Sequence, residues 1–202
     1  MKCPLSRRFL TASLAGRLRG LLLLGGLLIS GLPASANPGT VPPTVQQSLG
    51  SANLSGTGRF TWFGLKIYEA RLWVGSEGLD PLRFAAAAFA LELKYARSLD
   101  GKAIADSSIA EIEKLGIGSD MERSRWREAM HKLFPNVSEN DRLVGIHKPG
   151  HSVSFTFNDQ PIGAIEDPAF GPAFFAIWLD PKTRAPALRQ AMLAGAARRN
   201  PP

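Results

Sequence analysis

Few side chains in this chain are of a type and spacing that could do chemistry. The only imidazoles are His131, His147 and His151. His147 and His151 flank Pro149-Gly150, near the turn of a hairpin, and no third ligand stands beside them, so a metal centre is not expected and surface or turn positions are. There is no G-x-S-x-G element, and the single cysteine, Cys3, lies near the N-terminus, so nucleophilic catalysis has no support. Gly56-Thr57-Gly58 opens no helix and is not a phosphate loop. Glu111 and Glu113 read as a solvated helix face. No catalytic residue, metal or cofactor is assigned.

What remains is Arg59, directly after Gly56-Thr57-Gly58, and Tyr68 on the next strand. Glycines in a strand admit a close backbone or ligand. A guanidinium and a phenol converging on the inner face of a sheet would suit a carboxylate or an enolate-like oxygen. The alternative is structural: Arg59 pairs with Glu69 or another acid, and Tyr68 belongs to the core.

Strands and helices must position these groups. Leu54–Thr61 and Leu65–Val74 read as strands joined by a tight turn at Trp62-Phe63-Gly64. In the second, Leu65, Ile67, Glu69, Arg71 and Trp73 share one face, and Lys66, Tyr68, Ala70, Leu72 and Val74 share the other. A third strand runs from Phe84 to Tyr95 with clean alternation at its end. A helix from Ser98 or Asp100 carries Ala105, Ile109 and Ile112 as its apolar stripe and stops at Gly116. A second, capped by Ser119 or Asp120, carries Trp126, Met130 and Leu133 and ends at Pro135. Leu143–His147 and Ser152–Phe157 form a hairpin, followed by a short strand at Pro161–Ile165. Asp167-Pro168 caps and begins a helix with Phe170, Phe174, Ile177 and Trp178 inward. A last helix begins near Pro186. The order βββ–αα–βββ–αα predicts an α+β domain, one antiparallel sheet with helices on one face.

The N-terminal region reads differently. Lys2, Arg7, Arg8, Arg17 and Arg19 precede an apolar run, Leu21 to Ile29, and then Pro33-Ala34-Ser35-Ala36. This is the pattern of a signal peptide, residues 1–36, cleaved between Ala36 and Asn37. The run is shorter than the roughly 20 residues a spanning helix needs. Ser6-Arg7-Arg8-Phe9-Leu10 also resembles a twin-arginine signal. Its removal turns the chain's net +7 into +2, 19 basic residues against 17 acidic. The basic excess belongs to the signal, and a nucleic-acid partner is not expected. Export predicts a periplasmic protein with no membrane span after cleavage. Residues 37–49 read as a flexible leader, 50–195 as the folded domain and 196–202 as a frayed tail.

Two stretches carry a family resemblance. Leu54-Ser55-Gly56-Thr57-Gly58-Arg59, then Gly64-Leu65-Lys66-Ile67-Tyr68-Glu69-Ala70-Arg71-Leu72-Trp73, resembles the opening hairpin of chalcone isomerase-like proteins, where a Gly-x-Gly-x-Arg strand precedes a Val-Lys-x-Tyr/Thr-x-x-x-Leu-Tyr strand. Gly163 to Phe170 and Phe174 to Leu179 resemble the family's last strand and helix. The resemblance covers most of residues 50–195 and is nearest to an exported bacterial branch. It implies an open-faced β-sandwich, an antiparallel sheet covered on one face by helices, with a ligand cleft between the two layers.

The family's plant enzymes use an arginine, a threonine, a tyrosine and an asparagine. The resemblance places Arg59 at the first, Tyr68 at the second, and Leu99 and Ser107 near the last two, so only the arginine is kept. Arg59 with Tyr68 instead resembles the non-catalytic relatives that hold a fatty-acid carboxylate. The expectation is a periplasmic binding protein for a fatty acid or similar apolar carboxylate, held by Arg59 and Tyr68. The alternatives are an isomerase or intramolecular lyase of chalcone isomerase type, and a structural or partner-binding envelope protein.

Overall fold

Among the described residues six strands form one antiparallel sheet in which sequence neighbours are spatial neighbours throughout. The computed structural model describes residues 40–196, which belong to one compact unit, Pro38–Pro202. The expected signal peptide lies outside the described residues. The strands are β1 (Asn53–Trp62), β2 (Leu65–Val74), β3 (Phe89–Tyr95), β4 (Arg142–Lys148), β5 (Ser152–Phe157) and β6 (Gln160–Ile165). The helices are α1 (Pro43–Leu49), α2 (Gly101–Lys114), α3 (Asp120–Leu133), α4 (Phe170–Leu179) and α5 (Pro186–Met192). This is the expected α+β fold, an open sheet with α2 to α5 on one face. None of the described helices is long and apolar enough to cross a membrane.

Local chemistry sets the helix boundaries. Asp100 caps α2 by accepting from the Ala103 N–H at 3.0 Å. Ser119 and Glu122 form a reciprocal capping box on α3, which satisfies two otherwise orphaned donors. Ahead of α4 the cap sits earlier than a simple N-cap: Asp167 accepts from the Ala169 N–H, and the helix begins at Phe170. The other Asp167 oxygen accepts from the Trp126 indole at 2.9 Å, which ties α3 to this turn. α4 is buried on nearly every side, as expected of a helix that is apolar all round.

The main core lies between the sheet and α2–α5. Phe89, Phe155, Phe170 and Phe175 are almost wholly enclosed. Phe134, Phe155 and Phe174 meet edge to face or tilted, at centroid separations of 5.0 to 6.2 Å. Such pairs add about 0.5–1.5 kcal/mol each beyond the area they bury.

Three expectations are corrected. Residues 37–49 are not all leader: Pro43–Leu49 is a helix and Val45 is fully buried. Val45 packs with Trp73, Ala90, Val144 and Ile146 in a second, small cluster on the sheet's outer face. The third strand begins at Phe89, because Phe84–Ala86 is a 3₁₀ turn. Ala196 is buried and its carbonyl accepts from Leu79 at 3.2 Å, so the chain is held in place at the start of the expected tail.

Candidate functional site

Strand alternation decides which side chains reach the helix layer. On β3, Phe89, Leu91, Leu93 and Tyr95 join the main core, while Ala90 belongs to the outer cluster. On β2, Tyr68, Ala70, Leu72 and Val74 face inward. A bulge lies opposite Phe60 and Thr61, where the pairing steps from Tyr68 to Lys66. Ile67 is the extra residue, and an extra residue re-aims the strand locally. Ile67 and Tyr68 therefore both line the cleft. Simple alternation had put Ile67 on the opposite face.

The cleft is a cavity of about 290 Å³ between one end of the sheet and helices α2 and α4. Leu93, Leu99, Ile104, Phe134, Leu143 and Phe174 supply its apolar wall, and Phe60 and Trp62 of β1 form one side. Its polar groups are Tyr68, Tyr95, Ser107, Ser108, Glu111 and Arg184. The Ser108 hydroxyl is already spent on the Ile104 carbonyl at 2.8 Å. At the positions where the resemblance called for a tyrosine and an asparagine, Leu99 and Ser107 do line the cleft.

Tyr68 is placed by three contacts. Its ring stacks on Phe60 at 5.2 Å and meets Tyr95 edge-on at 6.1 Å. Its hydroxyl oxygen accepts from the Trp178 indole at 2.9 Å. An indole only donates, so the tyrosine's own proton is left to donate elsewhere. Burial drives the Tyr68 pKa well above the ordinary phenol value, against the opposing pull of the Trp178 hydrogen bond and the Arg184 charge. Burial does the same to Tyr95, helped by Tyr68. Both phenols are thus donors at neutral pH, not bases.

Arg184 and Glu111 stand beside this pair and both act electrostatically on the Tyr68 hydroxyl. Arg184 donates to Glu111 at 2.6 Å, and its guanidinium lies 3.9 Å from the centre of the Trp62 ring. Lys114 also bonds Glu111, at 2.9 Å. Burial works to raise the Glu111 pKa, but the hydrogen bonds from Lys114 and Arg184 outweigh it and hold the carboxyl below its ordinary value. The loop bearing Arg184 is fixed by Thr183, whose hydroxyl donates to the Ile177 carbonyl at 2.6 Å and accepts from Ala185. A guanidinium has five N–H donors, so the Glu111 bond leaves donors free to meet an anion.

Arg59 is elsewhere. It is exposed and does not line the cleft. It stands opposite Glu69 in the strand register, but Glu69 forms its salt bridge with Arg71. The inward residue next to it is Phe60. The family's Gly-x-Gly-x-Arg spacing, laid on Gly56-Thr57-Gly58, reaches position 60 and not 59. A one-residue step along a strand reverses the face. The structure thus brings Tyr68 to the cleft without Arg59, and the cation beside Tyr68 is Arg184. Nothing in the local sequence links Arg184 to Tyr68, because only the packing of the α4–α5 loop brings them together.

The strand glycines are used for packing. A Cβ on Gly56 would run into the Ala191 carbonyl, and one on Gly58 would lie 2.5 Å from Leu188. Their missing side chains let α5 sit directly on β1. His147, expected near the surface, is buried between Phe89 and Phe175. His131 bonds Asp106 at 2.8 Å. Among the described residues no three His, Cys, Asp or Glu side chains converge.

A meandering antiparallel sheet roofed by helices, with an apolar cleft between the layers, defines an open-faced α+β sandwich. Residues 37–194 match the family described as Chalcone isomerase-like, and the chain belongs to it. An uncharacterized protein of Haemophilus influenzae is 31% identical over 132 residues, which cover 63% of this chain and 61% of that relative's length. The crystal structure of an Arabidopsis thaliana fatty-acid binding protein superposes with a TM-score of 0.59 over 79% of this chain and 92% of that one. At 13% identity the likeness is one of fold.

Proposed function

We propose that this protein is a non-catalytic binding protein for a fatty acid or similar apolar carboxylate, exported to the periplasm, with the carboxylate held in the cleft by Tyr68 and Arg184. The observation that carries this reading is the Tyr68 hydroxyl. Trp178 occupies its oxygen and leaves its proton to donate, inside a cavity whose other walls are mainly apolar. A ligand that only accepts hydrogen bonds fits such a place. Arg184 adds a fixed positive charge, and Glu111 neutralises it when no ligand is bound. The fold likeness to a protein described as fatty-acid binding supports the same class. The cavity, about 290 Å³, is at the small end of the roughly 300–1,000 Å³ range of ligand sites, so it favours a short or partly inserted chain. Each methylene buried contributes about 0.8 kcal/mol.

The test is binding of a series of acyl carboxylates, read by calorimetry, together with extraction of whatever co-purifies. Charge-assisted hydrogen bonds contribute about 1.5–3 kcal/mol. Arg184→Ala should therefore weaken binding by at least about tenfold. Tyr68→Phe should weaken it less, and Arg59→Ala should leave it unchanged. Equal losses from Arg59→Ala and Arg184→Ala, or no binding of any acyl carboxylate, would overturn the reading. Export has its own check: the protein recovered from the periplasm should begin at Asn37.

A further inference from the structure

The turn between β1 and β2 carries the largest exposed aromatic group among the described residues. Phe63 is 88% exposed, Leu65 55% and Trp62 48%. Isolated exposed apolar residues are ordinary on protein surfaces, but these are contiguous and project from the end of a hairpin. Trp62 pairs with Leu65 across a two-residue turn, and Phe63 and Gly64 have φ of +47° and +76°. Such a turn strongly prefers Asn-Gly or Gly-Gly, because both central residues take positive φ. A bulky aromatic at the first position works against the fold. Its exposed ring gains nothing from the core, so folding does not account for Phe63.

Charge and position narrow what the tip meets. From Arg59 to Tyr68 the hairpin has no acidic residue. Lys66 and Arg97 are exposed beside it, brought level by the hydrogen bond from Ala96 to the Ile67 carbonyl. Arg184 lies against the Trp62 ring but is paired with Glu111, so Lys66 and Arg97 carry the unpaired positive charge at the tip. Aromatic side chains with a collar of Lys and Arg match the chemistry of a bilayer interface, apolar just below and anionic at the surface. Trp62 belongs both to this tip and to the wall of the cleft, so a surface met by the tip lies at the cleft's edge.

We infer that the Trp62-Phe63-Gly64-Leu65 tip is a docking surface for an anionic lipid bilayer and brings the mouth of the cleft to lipid. Docking stands apart from the ligand reading, since it is measured with no ligand present.

The chain from Asn37 to Pro202 is mixed with vesicles of equal parts phosphatidylglycerol and phosphatidylcholine, and separately with phosphatidylcholine alone. The N-terminal apolar run is left out because it would itself seek lipid. Trp62 is an internal probe, since Trp73, Trp126 and Trp178 are at most 6% exposed. Anionic vesicles should shift its emission to the blue and sediment the protein, less so at high salt. Phe63→Asn should reduce partition by at least about tenfold while leaving the unfolding temperature unchanged or raised, because Asn suits the turn. Leu65→Ser should also reduce partition, and both variants should bind soluble acyl carboxylates as the parent does. Absence of partition by the parent, undiminished partition by Phe63→Asn, or equal partition into both vesicle types would overturn the proposal. So would a concentration-dependent dimer that Phe63→Asn abolishes, which would assign the tip to a second copy of the chain.

Discussion

The two faces of the sheet use polar groups in opposite ways. On the outer face opposite charges are set against one another, although Glu92 Oε1 and Asp159 Oδ1 make no hydrogen bond. Glu69 pairs with Arg71 at 2.8 Å, Glu92 lies 3.7 Å from Arg71 and 3.9 Å from Arg142, and Arg142 also pairs with Asp159. Trp73 donates to Glu92 at 3.0 Å. On the inner face Tyr68 keeps a proton to give and Arg184 keeps free donors, beside an empty apolar volume. Spare donors beside a cavity are what distinguish the inner face, and the proposed ligand site rests on them. By that criterion Arg59, exposed beside the outer ladder, does not reach the cleft, and Arg184 is the arginine proposed for the ligand.

The contrast is broken most severely by emptying the inner layer. Phe175 is fully buried and its ring lies against Gly145 of β4. Phe175→Ala should cost about 3–5 kcal/mol in denaturant unfolding, with a fall in midpoint and no change in slope. On the outer face, Glu92→Ala removes a carboxylate that is only 1% exposed. Breaking a buried charge set from one side costs roughly 3 kcal/mol or more. The low end applies here, because Arg71 and Arg142 keep Glu69 and Asp159. Ligand affinity should not change. A loss of affinity matching that of Arg184→Ala would show that function reaches the outer face after all.

How much of this is legible in the sequence depends on how local each signal is. The capping box at Ser119 and Glu122 depends on near neighbours, and the structure has it. β3 does send alternate side chains to the two clusters but is buried on both faces, and α4 is buried well beyond the expected Phe170–Trp178 stripe. α1 was missed because seven residues are too few to show a helical period. Pro43 at its first turn reads equally well as loop or helix start. That Arg59 faces away from the cleft was hidden for a different reason. Alternation says that residues 59 and 60 face opposite ways, but not which way the helices lie. Only α5, seated on Gly56 and Gly58, decides it. The pairing of Tyr68 with Arg184 has no local signature, since it depends on how the loop after α4 folds back over the cleft.

His147 sharpens the contrast from within the inner layer, with the smallest effect. It is a polar group on the helix-facing side of β4, far along the strand from the cleft-lining Leu143. Its Nε2 meets the Ala85 carbonyl at 3.0 Å, while its buried Nδ1 has no partner. The Ala85 acceptor requires the proton on Nε2, which leaves Nδ1 bare. Phe89, Phe175, Gly171 and Val153 surround the ring. Burial lowers its pKa below 6.5, and the hydrogen bond to Ala85 opposes this only in part. The unfolded chain therefore takes up a proton near pH 6.5 while the folded chain still excludes it. Stability is full above that pH and falls as the pH drops towards the folded pKa, by at most about 1.4 kcal/mol per pH unit. Denaturant midpoints measured from pH 7.5 to pH 5 should show this decline. His147→Gln, which keeps a donor for Ala85, should flatten it. An unchanged slope in the variant would place the titration elsewhere and leave His147 as packing alone.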